Sequence, residues 1–172
     1  VIVHGYGMPG TQIVYNRWGS TWNQYLAHQG YIVFSMDARG MSGRGEDFKN
    51  LSYGDMSKYL SKDTAAGVRH LIDKGDVDPD RVGAWGWSGG GYFTGLMLTK
   101  NADLFDVGVS VAPVMDFRLY DTIYTERSMG LPQDNKAGYD STSVLTYVDR
   151  FNGKLLVMHG TGDDNVHSQN MT

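Results

Sequence analysis

The residues best suited to chemistry in this 172-residue chain are a serine enclosed by glycines, Gly86-Trp87-Ser88-Gly89-Gly90, and a pair of carboxylates further along, Asp163 and Asp164. A serine hydroxyl attacks an acyl carbon at neutral pH only when a positioned base takes its proton and a third group orients that base. The spacing G-x-S-x-G fits a tight strand-to-helix turn. Glycine two residues to either side leaves room for a strained backbone that lifts Oγ above a sheet, and a helix starting behind the serine offers N–H groups to a developing oxyanion. The order serine then aspartate suits this arrangement. One of the two aspartates could hold an imidazole in place, although adjacent aspartates in a loop also serve as turn caps. In His4-Gly5-Tyr6-Gly7, Tyr6 either donates to the oxyanion or packs on the rim of the site.

Such a turn requires a strand before it and a helix after it. The apolar run RVGAW precedes Ser88 and GYFTGLMLTK follows it. Similar short apolar runs at 1–7, 31–40, 105–114 and 154–164 predict four more strands, giving five with 81–88. Between them, TWNQYLAHQG reads as a helix closed by Gly30, and Asp63–Lys74 as one with Ala65, Val68, Leu71 and Ile72 on a single face. A third helix begins near Gly90 and runs through Leu98. The alternation predicts an α/β fold, a mostly parallel sheet with crossover helices. From about 115 to 150 the pattern loosens into aromatic, polar and turn-forming residues, an excursion of the kind that carries a pocket or lid.

Composition narrows the function. The net charge is -4, from 15 basic and 19 acidic residues with no block of like sign, which favours neither nucleic acid nor an anionic membrane as partner. There is no cysteine, so disulfides and thiolate metal sites are excluded. No run approaches the ~20 apolar residues that span a bilayer. Hydrophobic residues at 41% suit one packed domain over 1–172.

Three stretches together, GWSGGGY, YDTIYTERSMGLP and HGTGDDNVHSQN, resemble the hydrolase domain of the prolyl oligopeptidase family of serine peptidases, in particular its dipeptidyl peptidase IV branch. The resemblance runs from VIVHGYG to HSQNMT and implies an α/β-hydrolase fold. It implies Ser88 as nucleophile, Asp163 rather than Asp164 as the acid, and Tyr6 and the Gly89 amide as oxyanion donors. Val114, Phe117, Tyr120, Tyr124 and Val166 would form a pocket for proline or alanine, with Asn165 touching a ligand carbonyl. A glycine stands at 89 where the family commonly has tyrosine, and Phe117 where the dipeptidyl peptidases more often have tryptophan. The implied activity is peptide cleavage after proline or alanine through an acyl-enzyme, without metal or cofactor. The implied setting, by likeness to bacterial members, is periplasmic or secreted.

Which histidine serves as base is less direct. His28 and His70 fall on expected helix surfaces, His4 precedes the oxyanion loop, and His159 ends a strand. His167, four residues after Asp163, would have to swing back over the sheet. The cluster His159, Asp163, Asp164 and His167 lacks the helical spacing of zinc hydrolases. The family carries its base on a loop roughly 30 residues beyond the acid, so the resemblance places that histidine outside this sequence, along with flanking strands and an N-terminal propeller. The expectation is therefore a domain truncated at both ends, with KLLVMHG as an open edge strand through which copies could associate. Two alternatives share the same residues: a carboxylesterase acting on small esters, and a binding or assembly fragment without catalysis.

Overall fold

The computed structural model describes residues 1–171. Five parallel strands form one sheet: β1 (Ile2–His4), β2 (Val33–Phe34), β3 (Gly83–Trp87), β4 (Val107–Val111) and β5 (Lys154–Met158), in the order β2-β1-β3-β4-β5. All five anticipated strands are present, each shorter than its apolar run because the glycine- and aspartate-rich ends bend away into loops. The chain steps outward from β1 to β2, then crosses to the other side of β1 for β3. That reversal opens a crevice at the carboxyl ends of β1 and β3, where α/β sheets bind ligands. Tyr6 follows β1 and Ser88 follows β3, so both stand at this crevice.

Helices cover one face of the sheet fully and the other in part, leaving Trp87, Val107, Leu156 and Met158 exposed. α1 (Thr21–His28) is capped by Ser20, whose Oγ accepts from the Asn23 amide at 3.2 Å, and it lies over Ile2, Gly83 and Trp85 through Trp22 and Leu26. α2 (Glu46–Asn50) is a short turn that no sequence pattern announced. α3 (Lys58–Asp73) starts five residues before the expected Asp63, because Leu60 and Ser61 are already buried in its first turn. α4 (Gly89–Lys100) opens on three glycines and is buried from Gly89 to Thr99.

Glycine is a poor helix former, so its use here needs a steric reason. Close approach supplies one. A Cβ on Gly86 would lie 2.5 Å from the Gly90 carbonyl, one on Gly90 2.6 Å from the Gly5 oxygen, and one on Gly91 2.7 Å from the Val111 oxygen. Only a chain without side chains at these positions lets α4 sink onto β3 and β4. The packed face presents Ala84, Gly86, Gly108 and Ser110, and the Ser110 hydroxyl donates to the Gly91 carbonyl at 2.9 Å.

The 115–150 excursion is built of short pieces: a 3-10 turn at Phe117–Leu119, α5 (Thr122–Met129), α6 (Lys136–Thr142) and a 3-10 segment at Val144–Arg150. Asp116, Asp121 and Asn135 cap the first three with their own side chains, which accounts for polar residues recurring where periodicity was lost. β5 lies at the edge of the sheet with Leu156 and Met158 half exposed. Among the described residues no helix is long and apolar enough to cross a membrane.

Gly86→Ala is expected to lower the unfolding free energy by about 3 kcal/mol, since the new methyl meets backbone that cannot yield. Gly160→Ala, where a Cβ meets nothing within 4 Å, is expected to change it by less than about 0.5 kcal/mol. Urea unfolding followed by circular dichroism reads both; equal midpoints would contradict the close-approach argument.

Candidate active site

Ser88 sits between β3 and α4 with φ 58° and ψ -117°, a conformation that non-glycine residues rarely adopt. Two backbone bonds hold it there: its amide donates to the Val111 carbonyl at 2.8 Å, and its carbonyl accepts from the Tyr92 amide at 3.0 Å. This is the strand–turn–helix setting that the glycine spacing anticipated. Because the strands are parallel, the residues that follow each of them emerge at one end of the sheet. Tyr6, Ser88, Val114 and Asp163 share that end.

A pocket of about 70 Å³ opens beside the serine, lined by Tyr6, Met8, Thr11, Ser88, Gly89, Val114, Phe117, Tyr120 and Tyr124. Seven of these were anticipated; Met8 and Thr11 were not. Met8 explains the glycine at 89: a Cβ there would collide with the Met8 side chain and meet the Tyr6 ring at 3.0 Å. The volume that a larger residue would occupy is taken by these two neighbours, while the Gly89 backbone is retained.

The aromatic wall is a continuous edge-to-face stack. Tyr92, one turn into α4 from Ser88, meets Phe117 at 5.0 Å; Phe117 meets Tyr120 at 6.3 Å, and Tyr120 meets Tyr124 at 5.9 Å. Hydroxyls anchor both ends. Tyr92 donates to the Thr142 carbonyl at 2.8 Å and Tyr124 to the Pro9 carbonyl at 3.0 Å. Burial pushes both phenols above their ordinary range, so the wall stays neutral.

Behind Tyr92 the wall rests on a half-buried polar network. Asp55 accepts from the Ser57 amide (3.0 Å) and hydroxyl (2.7 Å), from the Ser141 hydroxyl (2.8 Å) and from Thr142 Oγ1 (3.3 Å). Lys100 donates to Ser57 Oγ at 2.7 Å and to the Ser141 carbonyl at 2.8 Å. Burial alone would raise the Asp55 carboxyl; the Ser57 and Ser141 bonds, with help from Lys100, outweigh it and hold the group below the usual range.

Asp163 is presented differently from the pocket residues. Its Oδ1 accepts from the amides of Asn165 and Val166 at 3.1 and 3.0 Å, and its Oδ2 lies 3.5 Å from His159 Nε2. Asp164 is exposed. Asn165 reaches the pocket rim, accepting from the Tyr120 hydroxyl at 3.3 Å. Val166 is buried at 2% exposure in the core cluster that also holds the pocket residues Val114 and Phe117; Asp163 grips its amide and His159 Nε2 donates to its carbonyl at 2.7 Å.

Among the described residues no histidine makes a hydrogen bond to Ser88. His4 stacks on Trp85 at 4.8 Å, and burial lowers its proton affinity. His28 and His70 are exposed on α1 and α3, as anticipated. His159 is committed to the 160–166 loop, and the exposed His167 accepts from the Gln169 amide through Nδ1 at 3.2 Å. No group of three or more His, Cys, Asp or Glu among the described residues is placed to hold a metal ion.

With this geometry in hand, comparison with known proteins is decisive. The model of the prolyl oligopeptidase family matches residues 18–172. The chain belongs to that family. A probable dipeptidyl-aminopeptidase B of Emericella nidulans is 41% identical over 99% of the chain, and the mouse prolyl endopeptidase FAP 38% identical over 99%. The crystal structure of Porphyromonas gingivalis dipeptidyl peptidase 4 superposes with a TM-score of 0.95 at 39% identity over 99% of the chain. The relatives matched are named as dipeptidyl peptidases or a prolyl endopeptidase, and the fold of this chain is the α/β-hydrolase fold. The chain spans 19% and 23% of the length of the two curated relatives and 24% of the solved bacterial chain.

Two outcomes follow for the pocket wall. Phe117→Ala is expected to cost about 3–4 kcal/mol of stability and Tyr92→Phe about 1 kcal/mol, read from chemical denaturation. The Asp55 carboxyl is lower in the folded than in the unfolded chain, so its contribution is fully present above the ordinary carboxylate range and is lost as pH falls through the lowered value. Stability measured from pH 7 downward is expected to fall less steeply in Asp55→Asn than in the parent; parallel acid limbs would contradict the assignment.

Proposed function

We propose that the protein is a serine peptidase of dipeptidyl peptidase IV type that cleaves peptides after proline or alanine through an acyl-enzyme on Ser88. The observation that carries this reading is the adjacency of a strained, glycine-flanked serine to a small pocket walled by Phe117, Tyr120 and Tyr124. The pocket is small, about 70 Å³, and its apolar ring faces suit a compact substituent such as a pyrrolidine ring or a methyl group. Its wall offers faces and edges of rings rather than charge, which favours a flat apolar substituent.

In the proposed reaction Ser88 Oγ adds to the acyl carbon of the residue seated in the pocket as its proton passes to an imidazole. The oxyanion is held by the Gly89 amide and the Tyr6 hydroxyl, a stabilisation realised as negative charge develops. Collapse expels the amine, which takes the proton from the imidazolium, and water then attacks the ester with the same base assisting. Asp163, fixed by the Asn165 and Val166 amides, orients that imidazole through its second oxygen. Because none of His4, His28, His70, His159 and His167 hydrogen-bonds to Ser88, His28 and His70 lying exposed on helices and the other three held by other partners, the base is assigned to a histidine outside these 172 residues.

A second reading, a carboxylesterase using the same serine, requires only the strained Ser88 and the Gly89 amide beside it. The two separate on substrates, assayed on the full-length protein. A peptidase hydrolyses glycyl-prolyl and glycyl-alanyl anilides and discriminates against glycyl-phenylalanyl anilide by at least about a hundredfold in kcat/KM. Hydrolysis of nitrophenyl esters with no turnover of any anilide would sink the peptidase reading.

A further inference from the structure

We propose that Asn170 is a positioning residue that locks the loop bearing Asp163 to the loop bearing the pocket, so that the placement of the acid and the shape of the aromatic pocket are set together. The proposal rests on the reading of Ser88 and its pocket given above. Asn170 lies in the last helical turn, Ser168–Met171, and is 6% exposed. It does not line the pocket.

A primary amide can accept two hydrogen bonds at its oxygen and donate two from its nitrogen. All four are in use here. Asn170 Oδ1 accepts from the Met115 amide at 3.0 Å and the Asp116 amide at 3.4 Å. Its Nδ2 donates to the His167 carbonyl at 3.2 Å and to the Leu119 carbonyl at 3.5 Å. Three of these partners belong to the 115–119 segment that carries Phe117, and the fourth belongs to the acid loop.

Each loop is stiff on its own side of this link. The acid loop is tied by His159 Nε2 to the Val166 carbonyl and by Asp163 to the two following amides. The pocket loop is tied by the Met115 carbonyl to the Val144 amide at 3.0 Å and by the Phe117–Tyr92 contact to the helix that starts at Ser88. The other polar tie between the loops, Tyr120 to Asn165, is exposed to competing water. The buried amide is therefore the element through which displacement of one loop is imposed on the other. Small displacements matter at such a site, since misplacing reacting groups by about 1 Å can cost roughly a hundredfold in rate.

The test uses the full-length protein, which includes the histidine proposed as base, and compares the parent with Asn170→Leu, which keeps volume but loses all four bonds, and Asn170→Asp, which keeps the oxygen facing Met115 and Asp116 but loses the donors. Gln169→Ala, an exposed neighbour, is the control. For Asn170→Leu we expect a fall of at least roughly tenfold both in kcat and in the ratio of kcat/KM for glycyl-prolyl over glycyl-alanyl anilide. Asn170→Asp is expected to regain the ratio but not kcat, because the bond to the acid loop stays broken. Gln169→Ala should match the parent in both.

If the parent hydrolyses neither anilide, the peptidase reading fails, and the linkage is read from backbone amide exchange instead. Asn170→Leu is then expected to speed exchange by at least roughly tenfold at Asn165 and Val166, whose amides are bonded to Asp163 and not to Asn170. Folded Asn170 variants with parental kcat and selectivity, or with parental exchange at Asn165 and Val166, would overturn the proposal.

Discussion

The strained backbone of Ser88 can persist only where its surroundings leave no alternative, and most of the structure near it serves that end. A residue at φ 58° and ψ -117° stores of the order of 1–3 kcal/mol. That strain is opposed by its bonds to Val111 and Tyr92 and by the fit of α4 on the sheet. The fit depends on glycines at 86, 90 and 91, each within about 3 Å of backbone that a methyl group would strike. A second left-handed residue, Ala112 at φ 44°, lies where β4 turns into the pocket loop, and its amide is held by the Met158 carbonyl at 2.7 Å. The nucleophile turn and the entrance to the pocket are thus fixed by neighbouring strands of one sheet.

From that fixed point the site is assembled by elements distant in sequence. The aromatic stack runs from Tyr92 to Tyr124 and closes onto Pro9 in the loop after β1, so the pocket spans three segments of chain. The carboxylate of Asp55 supports the stack from behind, with Lys100 balancing its charge. A half-buried carboxylate is tolerable when hydrogen bonds satisfy it, as those from Ser57, Ser141 and Thr142 do here. The polar ties and the ring contacts share one consequence: the pocket is small because its walls cannot move apart independently.

Much of this was legible in the sequence. The glycine spacing around Ser88, between an apolar strand and a helix, specified the turn, and alternation of short apolar runs specified the parallel sheet. Tyr6, Ser88, Gly89, Val114, Phe117, Tyr120 and Tyr124 do converge on one pocket. What escaped was set by tertiary contacts without a local signature. Met8 and Thr11 enter the pocket because the chain folds back after β1. α3 begins at Lys58, since burial of Leu60 and Ser61 against α4 extends a helix whose periodic face starts later. Asn170 carries no pattern at all, and its importance follows only from its bonds to Met115, Asp116 and Leu119, residues far from it in the chain.

The most direct test of Ser88 as an activated nucleophile treats the full-length protein, with the histidine proposed as base present, with a fluorophosphonate, which reacts with such a serine without presupposing a substrate, followed by intact mass and peptide mapping. A single adduct at Ser88, absent from Ser88→Ala, is the predicted result. A folded protein that acquires no adduct, or acquires it at another serine, would contradict the assignment of the strained turn as a catalytic one.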